Sequence, residues 1–329
     1  YLGYREEKKI QHEYLIEKAN LYFEKFYKEG KMLKIDNTYK CEEKWVRTLK
    51  ETALSNNFDN TICTLKEYEK MGKEDFSENA NPFGPPQKAE EALRICSKYI
   101  SVYPDYKNID VNNDLADFLK VQTENVAICN GSLEAIYAMP RILDSSRVAI
   151  VVPTYWGYEA GLKTINKDCF KIRLTDDWEF DLNKMNEEAK KSTMMFICNP
   201  NNPTSSYIFK KDMYQLVKNN PNCHFVIDES HILLHNDYYE ETMNTEVQDL
   251  KNVTLVYSLS KFFSVAGLRV GAVVSNNETI EKFKKWQVPY SLNTVAQVIF
   301  PVCLKDKEFI DFTRQNISTL VKELSEDLK

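Results

Sequence analysis

The stretch from Tyr257 to Gly271, YSLSKFFSVAGLRVG, combines residue types that could do covalent chemistry. Lys261 follows an apolar run, where burial would disfavour the charged form of its amine. A free lysine amine is a nucleophile that can form a Schiff base with an aldehyde. Ser258, Ser260 and Arg269 flank it, and arginine presents a planar set of donors that suits a phosphate. An aldehyde and a phosphate on one small molecule describe pyridoxal 5′-phosphate, although a surface lysine beside a structural arginine would give the same pattern.

A second candidate for phosphate binding is the segment NGSL, which joins an apolar run to a predicted helix. Gly131 permits a tight turn, and the N–H groups that open a helix suit a phosphate. Ser132 and Leu133 would supply those groups. The same residues also cap many helices that bind nothing.

Three further motifs follow predicted strands and could contact a pyridine ring. Tyr155 could stack on the ring, or it could be a core aromatic. Asn202, in NPNNPT, could donate its amide to a ring oxygen, or the motif could be a simple turn. Asp228 follows a buried run and needs a partner there. A protonated ring nitrogen would supply one, and so would an arginine or a turn N–H.

The elements that must position these residues are predicted from apolar, β-branched runs that alternate with helices. This pattern indicates an α/β fold with a mostly parallel sheet buried on both faces, and ligands bind such sheets at the carboxyl ends of the strands. The predicted strands cover 125–132, 148–153, 169–174, 193–204, 224–230, 253–258 and 270–275. The predicted helices include 87–100, 112–120, 133–143, 210–219 and 307–328.

Composition excludes several other classes of protein. The net charge of −6 argues against nucleic-acid binding, and no apolar run is long enough to span a membrane. The eight cysteines lie far apart without a CxxC pair, so we predict no metal site. The absence of a signal peptide and the cysteine usage predict a cytoplasmic protein.

Three regions are expected along the chain. Residues 1–74 predict a helical N-terminal extension, with amphipathic helices near 5–29 and 41–55. Residues 75–285 would form the large cofactor-binding domain, and residues 286–329 would begin a smaller C-terminal domain. Because the chain starts at Tyr1 and stops inside a predicted helix, we expect it to be part of a longer protein.

Eight motifs in one order carry a family resemblance that covers about residues 75–300. They are DFSENANPFGPP, YPDY, NGSLEAI, PTYWGY, NPNNPT, VIDES, SLSKFF and AGLRVG. The chain resembles the fold-type I, aspartate-aminotransferase-like enzymes that depend on pyridoxal 5′-phosphate. It is most similar to the branch of histidinol-phosphate aminotransferase and threonine-phosphate decarboxylase.

The resemblance implies a role for each matched residue. Lys261 would form the Schiff base, Asp228 would pair with the ring nitrogen, Asn202 would contact the ring oxygen and Tyr155 would stack on the ring. Tyr103 would reach the cofactor phosphate of a neighbouring subunit, which implies a homodimer. Asn81 would lie near the substrate, and the phosphate would be bound by Gly131, Ser132, Leu133, Ser258, Ser260 and Arg269.

Three departures from the family pattern leave the reaction open. His231 stands where a tyrosine usually touches the ring oxygen, and the charge of an imidazole changes near neutral pH. Ser205 replaces a glycine, which we interpret as a mild change to a turn. The arginine that grips the substrate carboxylate in the family would lie beyond Lys329.

The function expected from the resemblance is an aminotransferase acting on an amino acid or an amino-acid-like phosphate ester. A decarboxylase of the threonine-phosphate type is the closest alternative, because SENANPFGPP and PYSLNTVAQ fit that branch equally well. An O₂-using amino-acid oxidase stays open because of His231. A binding module that keeps the fold without turnover is the alternative from outside the enzymes.

Overall fold

The computed structural model describes residues 79–235 and 237–327. The predicted N-terminal extension and its two helices lie outside these residues. Among the described helices, none combines the length and the apolar character needed to cross a membrane.

A single seven-stranded sheet organises the described part of the chain, and every predicted strand is confirmed in its place. The strand predicted over 193–204 is the most shortened, because it ends before the first proline of NPNNPT. The strands are β1 (Val126–Asn130), β2 (Val148–Val152), β3 (Cys169–Arg173), β4 (Met194–Cys198), β5 (His224–Asp228), β6 (Val253–Tyr257) and β7 (Val270–Ser275).

The strand order is β1-β7-β6-β5-β4-β2-β3. Strands β3, β2, β4, β5 and β6 run parallel, which confirms the mostly parallel sheet. Strand β7 runs antiparallel to both of its neighbours, a feature that the apolar pattern did not reveal. Because β7 is reversed, its first residue lies at the same edge as the last residues of β1 and β6, and Asn130 pairs with Val270 there.

Most predicted helices are confirmed with changed ends. The helix at 112–120 begins earlier, at Ile109, because the Asp105 carboxylate accepts hydrogen bonds from the N–H groups of Lys107 and Ile109. The helices are α1 (Gln87–Cys96), α2 (Ile109–Leu119), α3 (Ser132–Ile142), α4 (Gly157–Lys163), α5 (Leu182–Ala189), α6 (Lys210–Asn219), α7 (Tyr238–Glu241), α8 (Leu259–Phe262), α9 (Asn277–Trp286), α10 (Thr294–Leu304) and α11 (Lys307–Asp327).

Both faces of the sheet are buried, as a mainly parallel sheet requires. Alternate strand residues point to opposite faces, so that Val226 packs in one core cluster while Phe225 and Ile227 pack in the other. Helices α3, α4 and α9 cover the first face. Helices α2, α5, α6, α8 and α10 cover the second face. The predicted division at residues 285 and 286 stays a prediction.

Candidate active site

Lys261 lies four residues after the end of β6, in the short helix α8. Its Nζ atom is 3.3 Å from Nε2 of His231 and 5.9 Å from the centre of the Tyr155 ring. Its carbonyl oxygen accepts a hydrogen bond from the N–H of Asn81 at 3.0 Å. The side chain is only half-buried, so the amine faces a space beside Tyr155 and His231.

His231 is held as a neutral imidazole beside this lysine. Burial first, and the positive charge of Lys261 second, lower the pKa of His231 to about 3. The prediction that its charge changes near neutral pH is therefore wrong. At neutral pH one ring nitrogen of His231 accepts a hydrogen bond and the other donates one.

Asp228 is the last residue of β5 and is 3% exposed. Its Oδ2 atom accepts a hydrogen bond from the hydroxyl of Tyr158 at 2.8 Å, and its Oδ1 atom accepts one from the N–H of Ser230 at 2.9 Å. The carboxylate therefore fixes the turn after β5. Each oxygen keeps a further acceptor position, so a ring nitrogen can still pair with it.

Tyr158 is a site residue that the sequence reasoning missed. It is fully buried, and its ring stacks on Phe196 of β4 at 5.2 Å. Its position in PTYWGY, three residues after Tyr155 in the same motif, was the available signal. Gly157 permits this arrangement, since a Cβ atom there would lie 2.5 Å from the Tyr155 ring.

Tyr155 lies among the three charged residues that the sequence singled out. Burial raises the pKa of its hydroxyl, the charge of Asp228 raises it further, and the charge of Arg269 opposes this shift. Lys261 is in contact range of the same ring. The structure thus brings Lys261, Asp228 and Arg269 around one aromatic side chain.

Arg269 and the start of α3 form a compact cradle. A Cβ atom at Gly131 would lie 2.4 Å from Nη2 of Arg269, so the guanidinium group rests directly on this glycine. A Cβ atom at Gly271 would lie 2.5 Å from the nitrogen of Ser132 and 2.9 Å from the carbonyl oxygen of Tyr257. The end of β6, the start of α3 and the start of β7 therefore meet at one point.

The other predicted phosphate ligands border this cradle. Ser258 and Ser260 are buried with their Oγ atoms 3.3 Å apart, and the N–H of Ser258 donates to Oγ of Ser230 at 3.0 Å. The first N–H groups of α3, at Ser132 and Leu133, have no carbonyl acceptor within the helix.

The NPNNPT segment is fixed by two of its asparagines. The amide of Asn199 bonds both backbone groups of Ile208, at 2.9 and 2.8 Å. The side chain of Asn201 binds Thr154, the carbonyl of Pro153 and Thr204. Within residues 79–235 and 237–327, no hydrogen bond engages the side chain of Asn202, so this amide is available to a ligand.

Ser205 adopts a φ angle of 60°, in the left-handed region that favours glycine. Its N–H closes the turn on the carbonyl of Asn201 at 2.8 Å. The serine is therefore a strained residue at this position, at a cost of about 1 kcal/mol, rather than a mild change.

Among the described residues, the side chains of Asn81 and Tyr103 have their contacts outside the cluster around Tyr155, although the N–H of Asn81 binds the carbonyl of Lys261. Asn81 is buried, and its amide hydrogens are taken by the carbonyl of Phe262 at 2.8 Å and the hydroxyl of Thr313 at 3.1 Å. Tyr103 is 83% exposed and packs on the ring of Tyr290 at 5.4 Å. Within one subunit, Tyr103 is thus a surface residue.

The described ranges contain no group of three or more His, Cys, Asp or Glu side chains placed to hold an ion. The site instead offers an amine, an aromatic face, a carboxylate and an anion cradle.

Comparison with known proteins identifies two relatives of similar sequence. Histidinol-phosphate aminotransferase from Thermoanaerobacter pseudethanolicus is 29% identical over 256 residues, which cover 75% of this chain and 72% of that protein. A protein from Caldanaerobacter subterraneus, provisionally named a threonine-phosphate decarboxylase, is 27% identical over 250 residues, covering 75% of this chain and 68% of that protein.

The fold also matches a solved structure. Histidinol-phosphate aminotransferase from Sinorhizobium meliloti, in complex with pyridoxal-5′-phosphate, superposes with a TM-score of 0.68 at 20% identity, covering 73% of this chain and 66% of that chain. The family described as aminotransferase class I and II matches residues 72–329, which is most of the sequence. The resemblance drawn from the motifs is thereby confirmed, and the chain belongs to the aminotransferase class I and II family.

Proposed function

We propose that this chain is a pyridoxal 5′-phosphate-dependent aminotransferase acting on an amino acid or an amino-acid-like phosphate ester, with Lys261 as the cofactor-binding lysine. Membership of the family confirms the reaction class, and the relative that carries pyridoxal-5′-phosphate supports the cofactor. The observation that carries the assignment of residues is the position of Tyr155 among Lys261, Asp228 and Arg269.

The residues present fit the cofactor at each of its polar groups. The guanidinium of Arg269 resting on Gly131, with the N–H groups that open α3, offers an anion site for the phosphate. Asp228 offers an acceptor to the ring nitrogen, and Asn202 offers an unused amide to the ring oxygen. Tyr155 offers an aromatic face, and Lys261 offers the amine that attacks the aldehyde.

Each of these residues has a defined task. When bound, the cofactor supplies an electron-withdrawing ring that stabilises negative charge at the carbon atom next to the substrate nitrogen. Lys261, once its amine is free, would take a proton from that carbon and deliver it to the cofactor, as amino transfer requires. His231 accepts a hydrogen bond from Lys261 Nζ and holds the amine near the Tyr155 ring. Asp228 stays beside the ring nitrogen, where its negative charge favours a bound proton.

A threonine-phosphate decarboxylase is the second candidate function. It is favoured by the relative from Caldanaerobacter subterraneus, whose identity to this chain is nearly that of the aminotransferase relative. The two reactions differ in which bond to the α-carbon breaks, a C–H bond or the bond to the carboxylate. The same lysine, aspartate and arginine would serve both.

We further propose a homodimer in which Tyr103 reaches the phosphate site of the partner. Tyr103, Tyr106 and Tyr290 form an exposed aromatic group, at 83%, 55% and 50% exposure, and Val102 and Val288 extend it. Exposed apolar patches of this kind are typical of interfaces.

The proposed location is the cytoplasm, supported by six described cysteines that are all free thiols.

The direct experiment mixes purified protein with pyridoxal 5′-phosphate and records the visible absorption of the lysine adduct. The wild type is expected to give a visible absorption band, because the Schiff base extends the conjugated system of the cofactor ring, and Lys261→Ala is expected to lose it. Lys251→Ala, on the loop before β6, is the control. A band that survives Lys261→Ala would overturn the assignment.

The reaction type is then decided by three product assays. Keto acid, carbon dioxide and hydrogen peroxide are measured separately with a panel of amino acids and phosphorylated amino alcohols. Keto acid formation with stoichiometric amino transfer supports the proposal. Carbon dioxide without keto acid would support the decarboxylase, and peroxide would support the oxidase. A stable lysine adduct without any product would support a binding module.

A further inference from the structure

Glu229, the residue after Asp228, is a buried acid that the proposed mechanism does not use. It is 2% exposed, and its carboxylate contacts the segment that follows α7. Its Oε2 atom contacts the hydroxyls of Thr242, at 2.7 Å, and Tyr257, and its Oε1 atom accepts from the N–H of Met243 at 3.3 Å. The acid thus links the end of β5 to the last residue of β6.

This cluster has fewer hydroxyl hydrogens than it has oxygen–oxygen contacts. Four oxygen–oxygen contacts join Glu229 to Thr242, Glu229 to Tyr257, Thr242 to Tyr257 at 2.9 Å, and Tyr257 to Oδ1 of Asn244 at 2.7 Å. Thr242 and Tyr257 bring one hydroxyl hydrogen each. With an ionised carboxylate, two of the four contacts have no hydrogen between the oxygens.

The orientation of Asn244 cannot supply the missing hydrogen. Its Nδ2 atom donates to the carbonyl of Leu119 at 2.9 Å and to the hydroxyl of Tyr238 at 3.2 Å. A carbonyl only accepts, so the amide oxygen must face Tyr257. A proton on Glu229 would fill a third contact, and it would relieve the cost of burying a charge.

The surrounding charges do not favour ionisation enough to outweigh burial. Lys210 is the cation that faces Glu229, and its Nζ atom is already paired with Glu246 at 2.7 Å. Tyr207, Tyr238 and Tyr257 are the other titratable groups near the acid, and Arg314 lies beyond the ring of Tyr238. Burial, partly opposed by these hydrogen bonds and by Lys210, raises the pKa of Glu229 to about 7.

The position of the cluster connects it to the active site. The pairing of β5 with β6 ends with the pair Asp228 and Val256. Beyond this pair, three further contacts join the two chain segments. The N–H of Glu229 donates to the carbonyl of Val256 at 2.8 Å, the carboxyl contacts Tyr257, and the N–H of Ser258 donates to Oγ of Ser230 at 3.0 Å.

We propose that Glu229 is a positioning residue that holds one proton and, through Tyr257, fixes the end of β6 against the end of β5. It thereby sets the distance between Lys261 and Asp228. The inference rests on the proposed function to the extent that these two residues act on one cofactor. Loss of the proton removes a hydrogen bond from the cluster and loosens this connection.

The first test measures the unfolding of the cofactor-free protein by denaturant between pH 4.5 and 9. The pKa of Glu229 is raised in the folded protein, so its stabilising proton is fully present below the unfolded pKa near 4.5 and is lost as the pH rises through about 7. The ratio of the wild-type folding equilibrium constant to that of Glu229→Gln is expected to fall by up to about tenfold per pH unit between pH 4.5 and about 7. Above about pH 7 this ratio is expected to stay constant. An unchanged ratio across the whole range would overturn the proposal.

The second test measures how fast the cofactor-free protein captures pyridoxal 5′-phosphate, from the growth of visible absorption. Tyr257→Phe is expected to slow capture about fivefold, the effect of one lost hydrogen bond. Tyr238→Phe removes a hydroxyl from the same cluster without touching the end of β6, and its rate should stay within twofold of the wild type. Glu229→Gln should match the wild type at pH 6 and exceed it at pH 8.5.

Two outcomes count against the proposal here. Equal slowing by Tyr238→Phe and Tyr257→Phe would show a purely structural cluster, and Glu229→Gln matching the wild type at both pH values would show that the proton has no influence on the site. Absence of any absorption band in all four proteins would refute the proposed function instead, and the unfolding series would still decide whether Glu229 carries the proton.

Discussion

The hydroxyl of Tyr158 donates a hydrogen bond to Oδ2 of Asp228 at 2.8 Å, inside a core that excludes water. The ring of Tyr158 is held by Phe196 of the neighbouring strand, so the direction of this bond is fixed before any ligand binds. The tyrosine therefore orients the carboxylate that we propose to pair with the ring nitrogen. This is a positioning role, because the hydroxyl acts through its hydrogen bond to Asp228.

Tyr158→Phe is expected to weaken cofactor binding about tenfold. The substitution keeps the ring and its packing but removes one hydrogen bond to a charged group, which contributes about 1.5 kcal/mol. The dissociation constant of pyridoxal 5′-phosphate is measured by equilibrium titration of the absorption band. Tyr214→Phe, on α6, removes a hydroxyl remote from the site and should leave the constant unchanged. Unaltered affinity in Tyr158→Phe would refute the positioning role.

Gly131→Ala is expected to abolish phosphate binding, because the added Cβ atom would lie 2.4 Å from Nη2 of Arg269. Gly84 is a matched control, since its φ of 77° resembles the 74° of Gly131 while no atom lies within 4 Å of its Cβ position. Both variants should lose about 1 to 3 kcal/mol of unfolding free energy from backbone strain. Only Gly131→Ala should lose affinity for the cofactor, by about a hundredfold or more. Equal affinities in the two variants would mean that the cradle is placed elsewhere.

His231→Gln is expected to protect the protein against mild acid. The pKa of His231 is lowered to about 3 in the folded protein, against about 6.5 in the unfolded chain. Acid therefore favours the unfolded chain, and the wild type loses stability as the pH falls from about 6.5 toward 3. At pH 5 this loss amounts to at most about 2 kcal/mol.

The measurement compares denaturant unfolding of both proteins at pH 7 and pH 5. The unfolding free energy of His231→Gln minus that of the wild type should become more positive from pH 7 to pH 5. His235→Gln is the control, because it removes a histidine that does not contact Lys261. A difference that is the same at both pH values would contradict the depressed pKa of His231.

Ser205→Gly is expected to stabilise the fold by about 0.5 to 1 kcal/mol. Glycine adopts the φ of 60° found here without strain, although its greater freedom in the unfolded chain offsets part of the gain. Thermal unfolding of the two proteins gives the comparison. Ser101→Gly, in a turn with negative φ, should give no such gain, and a Ser205→Gly variant less stable than the wild type would contradict the assigned strain.

Much of the site could be predicted from sequence because its residues stand where apolar strands end. Lys261, Asp228, Asn202 and Arg269 each follow or precede such a run, and a buried run fixes where the next polar side chain emerges. Helices α5 and α9 were missed, since mixed polar patterns over short segments do not distinguish a helix from a loop. Helix α10, TVAQVIFPVCL, was missed because it is apolar almost throughout and shows no helical periodicity.

The amino-acid sequence alone predicted the strands of this protein, its family and the residues that we propose to be reactive. Only the tertiary structure decided that β7 runs antiparallel, which puts Arg269 on Gly131, residues 138 positions apart by their numbers. It also decided that Tyr158 supports Asp228 and that Glu229 contacts Tyr257. The physical reason is that apolar periodicity specifies which residues are buried, whereas the partners of buried polar groups depend on strand order and direction, which local sequence does not encode.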